Sequence, residues 1–373
     1  MKKHSLLGSF LFLTLFSQAQ QTYNYRDPHE GFNWAKELYQ KGQYSLAYPL
    51  FQELHQSLQP SDRANNPILV QEIEFYATVL ALKQNDERAV QEALAYIDAT
   101  KNTARVQMMN YHLAEYYFRK KQFSEAVALY ESANIANLSN EEIADMKFHQ
   151  GYSYFTLNQF AQAKPLLASI RQLKNDPNYV DANYYYGFIA FRDRAYGDAL
   201  ESFRVVESQP AYESVVPYYI AQIYYVQGRK DEAVAYAENK MKQGKSQYYD
   251  LELKQLLGHA YFERREYAKA LPYLEDYVNR SKKVRREDLY ELSYAYYQAN
   301  QLNKAIDGFK QLSGKEDSLS QHAMYLLGDS YLRTNQKPSA RNAFLFTAAN
   351  NSNPQQQEIA RFNYAKLSYE LGY

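Results

Sequence analysis

The chain has 373 residues, with 42 Lys and Arg balanced by 42 Asp and Glu, and no cysteine. Zero formal net charge gives no basic face for nucleic acid and no general hold on an anionic membrane. Without thiols there are no disulfides, no thiolate metal sites, no thiol nucleophile and no lipid-attachment cysteine. Tyrosine is the outlier, at 39 residues, and suits surfaces that bury a ring while keeping a hydroxyl wet.

At the N-terminus Lys2 and Lys3 precede an apolar run of 11 residues, Leu6 to Phe16, and Ser17-Gln18-Ala19 then offers small residues where a signal peptidase reads them. The run is shorter than the roughly 20 helical residues a bilayer requires. Residues 1–19 are therefore expected to be a cleaved signal peptide, with an exported chain starting at Gln20. That chain keeps 40 basic against 42 acidic residues, a net charge of −2. No later stretch is apolar enough to be transmembrane, so an integral membrane protein is not expected.

From residue 28 onward a repeat governs the sequence. Ala47, Ala89, Ala126, Ala163, Ala199, Ala233, Ala270, Ala305 and Ala340 follow one another at intervals of 34 to 42 residues. Twelve residues before each comes another small residue: Ala35, Ala77, Ala114, Gly151, Gly187, Ala221, Gly258, Ser293 and Gly328. Two antiparallel helices cross closely only where their contact residues lack bulk, so each interval is expected to hold a helical hairpin. Turn residues fall between the helices, as in Gly42, Asn158, Gly228 and Asn300. An aromatic recurs three residues past the first small position (Tyr117, Tyr154, Tyr224, Tyr261, Tyr296, Tyr331), and a large residue four past the second (Phe51, Tyr130, Leu167, Phe203, Leu274, Phe309, Phe344).

Pro49, Pro165 and Pro272, each two residues past the repeat alanine, are expected near the start of second helices, where backbone N–H groups lack partners. The joint from Ser57 to Pro67 accounts for the longest interval and is expected to be the most flexible. The chain closes at Leu371-Gly372-Tyr373, after the first helix of a tenth unit around Ala365, with no partner helix for that face. This suggests that the array continues past Tyr373 in a longer protein.

Small-x2-Tyr followed by Ala-x3-Phe resembles the tetratricopeptide repeat (TPR). The resemblance covers about residues 28–373. It implies an all-α fold, an α-solenoid of antiparallel helix pairs wound into a right-handed superhelix, with nine full repeats over about 28–357 and a half repeat at 358–373. The family's early tryptophan is absent, an aromatic one residue later partly replacing it, and the second repeat is the most divergent. In such arrays the first helices line a concave groove. The carboxylate clamp of chaperone-binding members is missing, since its places hold Phe32 with Lys36, Glu74 with Thr78, and Tyr111 with Glu115.

No P-loop, HExxH, GxSxG or dinucleotide-binding motif occurs, so no enzyme, catalytic residue or cofactor is expected. His112 and His149 fall at equivalent places in adjacent repeats, where a half-buried packing role outweighs a metal site. Tyr152, Phe188 and Tyr294 take a place next to the first small residue that the family usually keeps polar. With Tyr185 and Tyr219 they form the candidate binding groove, an exposed aromatic stripe. Arg280, Lys282, Lys283, Arg285 and Arg286 crowd one joint, either a solvated loop or a contact for an acidic partner or for lipopolysaccharide phosphates. The signal and the Tyr/Gln/Asn-rich repeats resemble large periplasmic TPR proteins of the Bacteroidota. The resulting expectation is a protein-binding scaffold or adaptor of the bacterial cell envelope, periplasmic or outer-membrane-associated, with protein partners there. A glycan- or peptidoglycan-binding module, or the targeting arm of a larger enzyme, stays open.

Overall fold

The computed structural model describes residues 28–244 and 247–373, and every regular element among them is helical. The expected signal peptide and its cleavage point before Gln20 lie outside the described residues. The chain forms two compact units, Met1–Ala163 and Lys164–Tyr373. The first holds α1 (Pro28–Gln40), α2 (Tyr44–Ser57), α3 (Pro60–Asn65), α4 (Pro67–Lys83), α5 (Arg88–Ala99), α6 (Thr103–Arg119), α7 (Phe123–Ser132) and α8 (Asn140–Thr156), and α9 (Phe160–Ile170) crosses the boundary. The second holds α10 (Tyr179–Arg192), α11 (Tyr196–Val206), α12 (Val216–Val226), α13 (Lys230–Lys242), α14 (Asp250–Glu263), α15 (Tyr267–Arg280), α16 (Arg286–Gln298), α17 (Leu302–Lys310), α18 (Ser318–Arg333), α19 (Lys337–Ala349) and α20 (Pro354–Glu370).

Hairpins form because each first helix ends in the same left-handed turn. After α1, the Gln43 N–H reaches back to the Leu38 carbonyl and the Gly42 N–H to the Tyr39 carbonyl, satisfying acceptors that a helix end leaves open. This double bond pattern requires one residue at positive φ, and Gly42 (φ 70°) and Gly228 (φ 78°) take that conformation without a Cβ penalty. Asn85, Asn158, Asn300 and Asn335 serve in other hairpins, at φ of 59° to 60°. The same turn follows α6, α10 and α14 with Lys121, Arg194 and Arg265 in the left-handed position. Composition gives no warning of these three turns, since repeat geometry imposes the conformation on ordinary residues.

Packing within a hairpin rests on a small residue opposite a large one sixteen positions later. A Cβ added at Gly187 would lie 3.1 Å from the Phe203 ring, one at Gly258 2.6 Å from Leu274 and one at Gly328 2.8 Å from Phe344. Phe203 and Leu274 are fully buried and Phe344 is 2% exposed. The small position therefore admits the knob of the second helix rather than meeting the second small residue. Where the first helix carries the bulkier Ser293, the second answers with Gly308, whose missing Cβ leaves room for the serine hydroxyl.

Tyrosine links successive hairpins. Tyr154 donates its hydroxyl to Glu131 at 2.5 Å, Tyr261 to Glu238 at 2.7 Å, and Tyr296 to Glu275, each acceptor lying on the second helix of the preceding hairpin. Tyr224 plays the acceptor instead, taking a bond from Arg204. Burial, followed by the Glu131 carboxylate, pushes the Tyr154 hydroxyl up to about 12. A phenylalanine in these places would bury the same ring but forfeit a charge-assisted bond between repeats.

Two expectations require correction. Pro49, Pro165 and Pro272 are the sixth residues of α2, α9 and α15, one turn past the free amides, and each helix continues through the loss of one ladder bond. The joint after Ser57 is itself helical: α3 begins at Pro60, is closed by a capping box between Gln59 and Asp62, and carries Arg63, which pairs with Glu74 of α4 at 2.7 Å. At the far end α20 leaves Phe362 (69%) and Tyr369 (87%) exposed.

Two changes involving glycine should therefore move stability in opposite directions. Arg194→Gly removes an exposed left-handed Cβ and should raise stability by about 0.5–1 kcal/mol, the relieved strain less the added freedom of the unfolded chain. Gly328→Ala drives a methyl group into the Phe344 ring and should lower it by about 1 kcal/mol, even after the gain in helix propensity. Urea unfolding followed by circular dichroism reads both; a stabilised Gly328→Ala would mean that the ring yields.

Candidate binding surface

The sequence-derived aromatics divide between the units. In the first unit Tyr152 on α8 is half-buried, with ring centroids 5.9 Å from Phe118, 5.7 Å from Phe123 and 6.3 Å from Phe148. In the second, Tyr294 on α16 repeats this nest, 5.6 Å from Phe262, 5.5 Å from Tyr267 and 5.9 Å from Tyr290. The residue beside the small position thus packs against the preceding hairpin, and in these two places the ring is chiefly an inter-repeat contact. His149 joins the first nest, stacked on Phe118 at 4.0 Å with Nδ1 2.9 Å from Glu115. His112 is buried at 3% exposure beside Phe75 and Tyr111. Among the described residues no group of three His, Asp or Glu side chains is placed to hold a metal ion.

Tyr219 departs from the expected exposed stripe. It is 6% exposed, its ring lies on Phe203 at 5.3 Å, and its hydroxyl is 3.1 Å from that of Tyr249. It thus packs on the second helix of the preceding hairpin, as Tyr76 of α4 stacks on Phe51 of α2 at 5.2 Å. Tyr185 and Phe188 are half-buried on α10, and Phe188 meets Tyr219 edge-on at 5.9 Å.

Around this core the second unit gathers a denser tyrosine surface than the repeat register indicates. Tyr184 stacks on Tyr212 at 4.2 Å and meets Tyr185 at 5.2 Å. Tyr218 lies 4.8 Å from Tyr249, which in turn carries Tyr248 edge-on at 4.8 Å. Tyr248 is 73% exposed, while Tyr184, Tyr218 and Tyr249 are half-buried. The backbone N–H of Tyr248 bonds the Ser214 carbonyl, pinning the joint before α14 to the joint before α12. Burial raises the Tyr184 hydroxyl pKa, and the neighbouring Tyr249 and Tyr248 add to it. Tyr212, Tyr248 and Tyr249 escape a register-based reading because they lie in joints; the Tyr248-Tyr249 doublet was the available signal.

The three arginines of the basic cluster are ion-paired. Arg280 bonds Asp250 at 2.9 Å and Asp276 at 2.8 Å, Arg285 grips the buried Asp288 with two bonds of 2.8 and 2.7 Å, and Arg286 reaches Asp317 at 2.5 Å. The arginines neutralise acids of their own and adjoining helices. Of the five cations, Lys282 and Lys283 are exposed and make no ion pair within 4 Å among the described residues.

One inter-repeat link on the first helices of the second unit is titratable. His259 of α14 places Nδ1 2.6 Å from Glu291 of α16 and Nε2 3.8 Å from Glu263, with the Tyr225 ring of α12 at 5.7 Å. The hydrogen bond to Glu291, helped by the Glu291 and Glu263 charges and opposed by burial, raises the histidine pKa above its usual value. A raised histidine pKa adds stability that is fully present below the unfolded value and is lost as pH climbs through the folded one. Comparing wild type with His259→Gln, the gap in thermal stability should be widest in mildly acidic buffer and shrink above neutrality. Because the ring is partly solvated, the gap should stay under about 1 kcal/mol. A gap that grows with pH would contradict the pairing.

No helix among the described residues is long and apolar enough to cross a membrane. A sequence profile described as Tetratricopeptide repeat matches residues 148–213 and 290–355. The chain is structurally similar to a tetratricopeptide repeat protein from Parabacteroides merdae, at 14% identity over 72% of this chain and 98% of that one, with a TM-score of 0.34. It is similar to the C-terminal part of a TPR repeat-containing protein from Cytophaga hutchinsonii, at 15% identity over 69% and 95% of the two chains, with a TM-score of 0.41. The apo form of RapI aligns at 14% identity over 91% and 98%, also at 0.41. No curated protein matches the sequence.

Proposed function

We propose that this chain, whose residues 148–213 and 290–355 match the tetratricopeptide-repeat profile, is a protein-binding scaffold of the bacterial cell envelope, gripping its partner through the tyrosine surface of the second unit. Repeats of this kind serve generally as protein-interaction scaffolds. The observation that carries the assignment is the cluster of Tyr184, Tyr185, Tyr218, Tyr248 and Tyr249, of which Tyr248 is 73% exposed. Rigid, amphipathic tyrosines give large contact area at low entropic cost and are enriched in binding hot spots. The envelope assignment rests on the charged start, short apolar run and Ser17-Gln18-Ala19 site of the sequence. Intact mass of the protein exported under its own signal should correspond to a chain beginning at Gln20; retention of Met1 in the mature protein would remove this support.

Cross-linking pull-down from a native envelope fraction tests the binding surface. The pair Tyr218→Ser and Tyr248→Ser should leave helicity intact and weaken partner capture by about 2 kcal/mol, some thirtyfold. A folded double variant that retains every partner would place the binding surface elsewhere. If an envelope glycan, rather than a protein, is what the wild type retains and the variant loses, the surface is a glycan platform.

A further inference from the structure

The chain covers some of its tyrosine faces with its own cations. Arg171 lies over the Tyr186 ring at 4.3 Å, Arg229 over Tyr224 at 4.4 Å, Lys304 over Tyr296 at 4.8 Å and Arg341 over Tyr364 at 4.8 Å. A ring face is electron-rich, and a cation placed over it is attracted. Tyr184, Tyr218, Tyr248 and Tyr249 are not among these: no described Lys or Arg lies over any of the four, although Tyr218 and Tyr249 are only 4.8 Å apart. The patch also brings unspent negative charge. Glu252, on the first turn of α14 and close enough to bear on the Tyr218 hydroxyl, is exposed and makes no ion pair among the described residues. Asp181, on the first turn of α10, takes the Tyr212 hydroxyl at 2.6 Å and no cation among the described residues.

We propose that this patch binds a segment of a partner protein bearing arginine or lysine side chains, with the cationic groups lying over the Tyr184, Tyr218, Tyr248 and Tyr249 rings and against Glu252 and Asp181. This deepens the scaffold reading and rests on it, because it names the chemistry of the partner for the same surface. Charge complementarity decides the occupant. A neutral chain would leave both carboxylates unanswered, and an acidic one would be repelled by them. Internal cations already show what these rings accept elsewhere in the molecule.

The test uses the whole mature chain and three labelled peptides of one length, with Gly-Ser spacers separating Arg, Gln or Glu, read by fluorescence anisotropy. The Arg peptide should bind, more weakly at high salt, and the Gln and Glu peptides should not. Tyr248→Ala should weaken the Arg peptide about tenfold and Glu252→Gln about threefold. Tyr369→Ala, which removes a still more exposed ring on α20, should change nothing. Equal binding of the three peptides, no binding of the Arg peptide, or indifference to the Tyr248 and Glu252 changes would overturn the proposal. The pull-down separates its failure from that of the scaffold reading. Partners lost from the Tyr218/Tyr248 double variant with no Arg-peptide binding would reject the cationic occupant alone. Arg-peptide binding at the patch, with every partner retained by the double variant, would instead reject this surface as the scaffold's grip.

Discussion

The close crossing of the two helices in a hairpin is the constraint from which the rest follows. Gly187, Gly258 and Gly328 let Phe203, Leu274 and Phe344 seat where a single Cβ would come within 3.1 Å or less. That fit fixes the rotation of both helices about their axes. It thereby determines which side chains turn inward to the hairpin, which turn to the next hairpin, and which reach solvent. The turn enforces the same geometry from its own side, strongly enough to hold Lys121, Arg194 and Arg265 in a backbone conformation that such residues otherwise avoid.

Tyrosine abundance has a physical cause in this arrangement. A hairpin presents half-buried rings to its neighbour, and a hydroxyl at the ring edge can reach a polar side chain on the preceding second helix, as Tyr154, Tyr261 and Tyr296 do. The contacts combine buried area with a directional bond, which sets register between hairpins as well as holding them together. Cations over ring faces complete the pattern. The patch formed by Tyr184, Tyr218, Tyr248 and Tyr249 uses the same residue type without the covering cations, and a surface built for internal pairing becomes one that can take an external cation.

The arginine-rich joint shows the opposite outcome. Five cations within seven residues read either as a solvated loop or as a contact, and three of them are spent on Asp250, Asp276, Asp288 and Asp317. Asp288 is 1% exposed, and a carboxylate so buried requires a counter-charge. The cluster serves internal neutralisation first.

The hairpins, their spacing and the left-handed turns at Gly and Asn were all set by the sequence alone, because these are local requirements repeated many times over. Each occurrence adds to the same periodic signal. The seating of a large residue on each small one emerged instead from the packing. Burial of Tyr219, the nests around Tyr152 and Tyr294, and the pairing of the arginines were decided only by the tertiary structure. They depend largely on where one hairpin lies against the next, as for Tyr152 with Phe118 and Arg286 with Asp317, although Arg280–Asp276 and Arg285–Asp288 pair locally. Tyr212, Tyr248 and Tyr249 belong to the joints, which obey no repeat and have no register to read. They reach the surface of α10 and α12 because the chain returns there, as the bond from Tyr248 to Ser214 shows. Local periodicity could identify the helices, but only folding could bring two joints together and make a tyrosine surface of them.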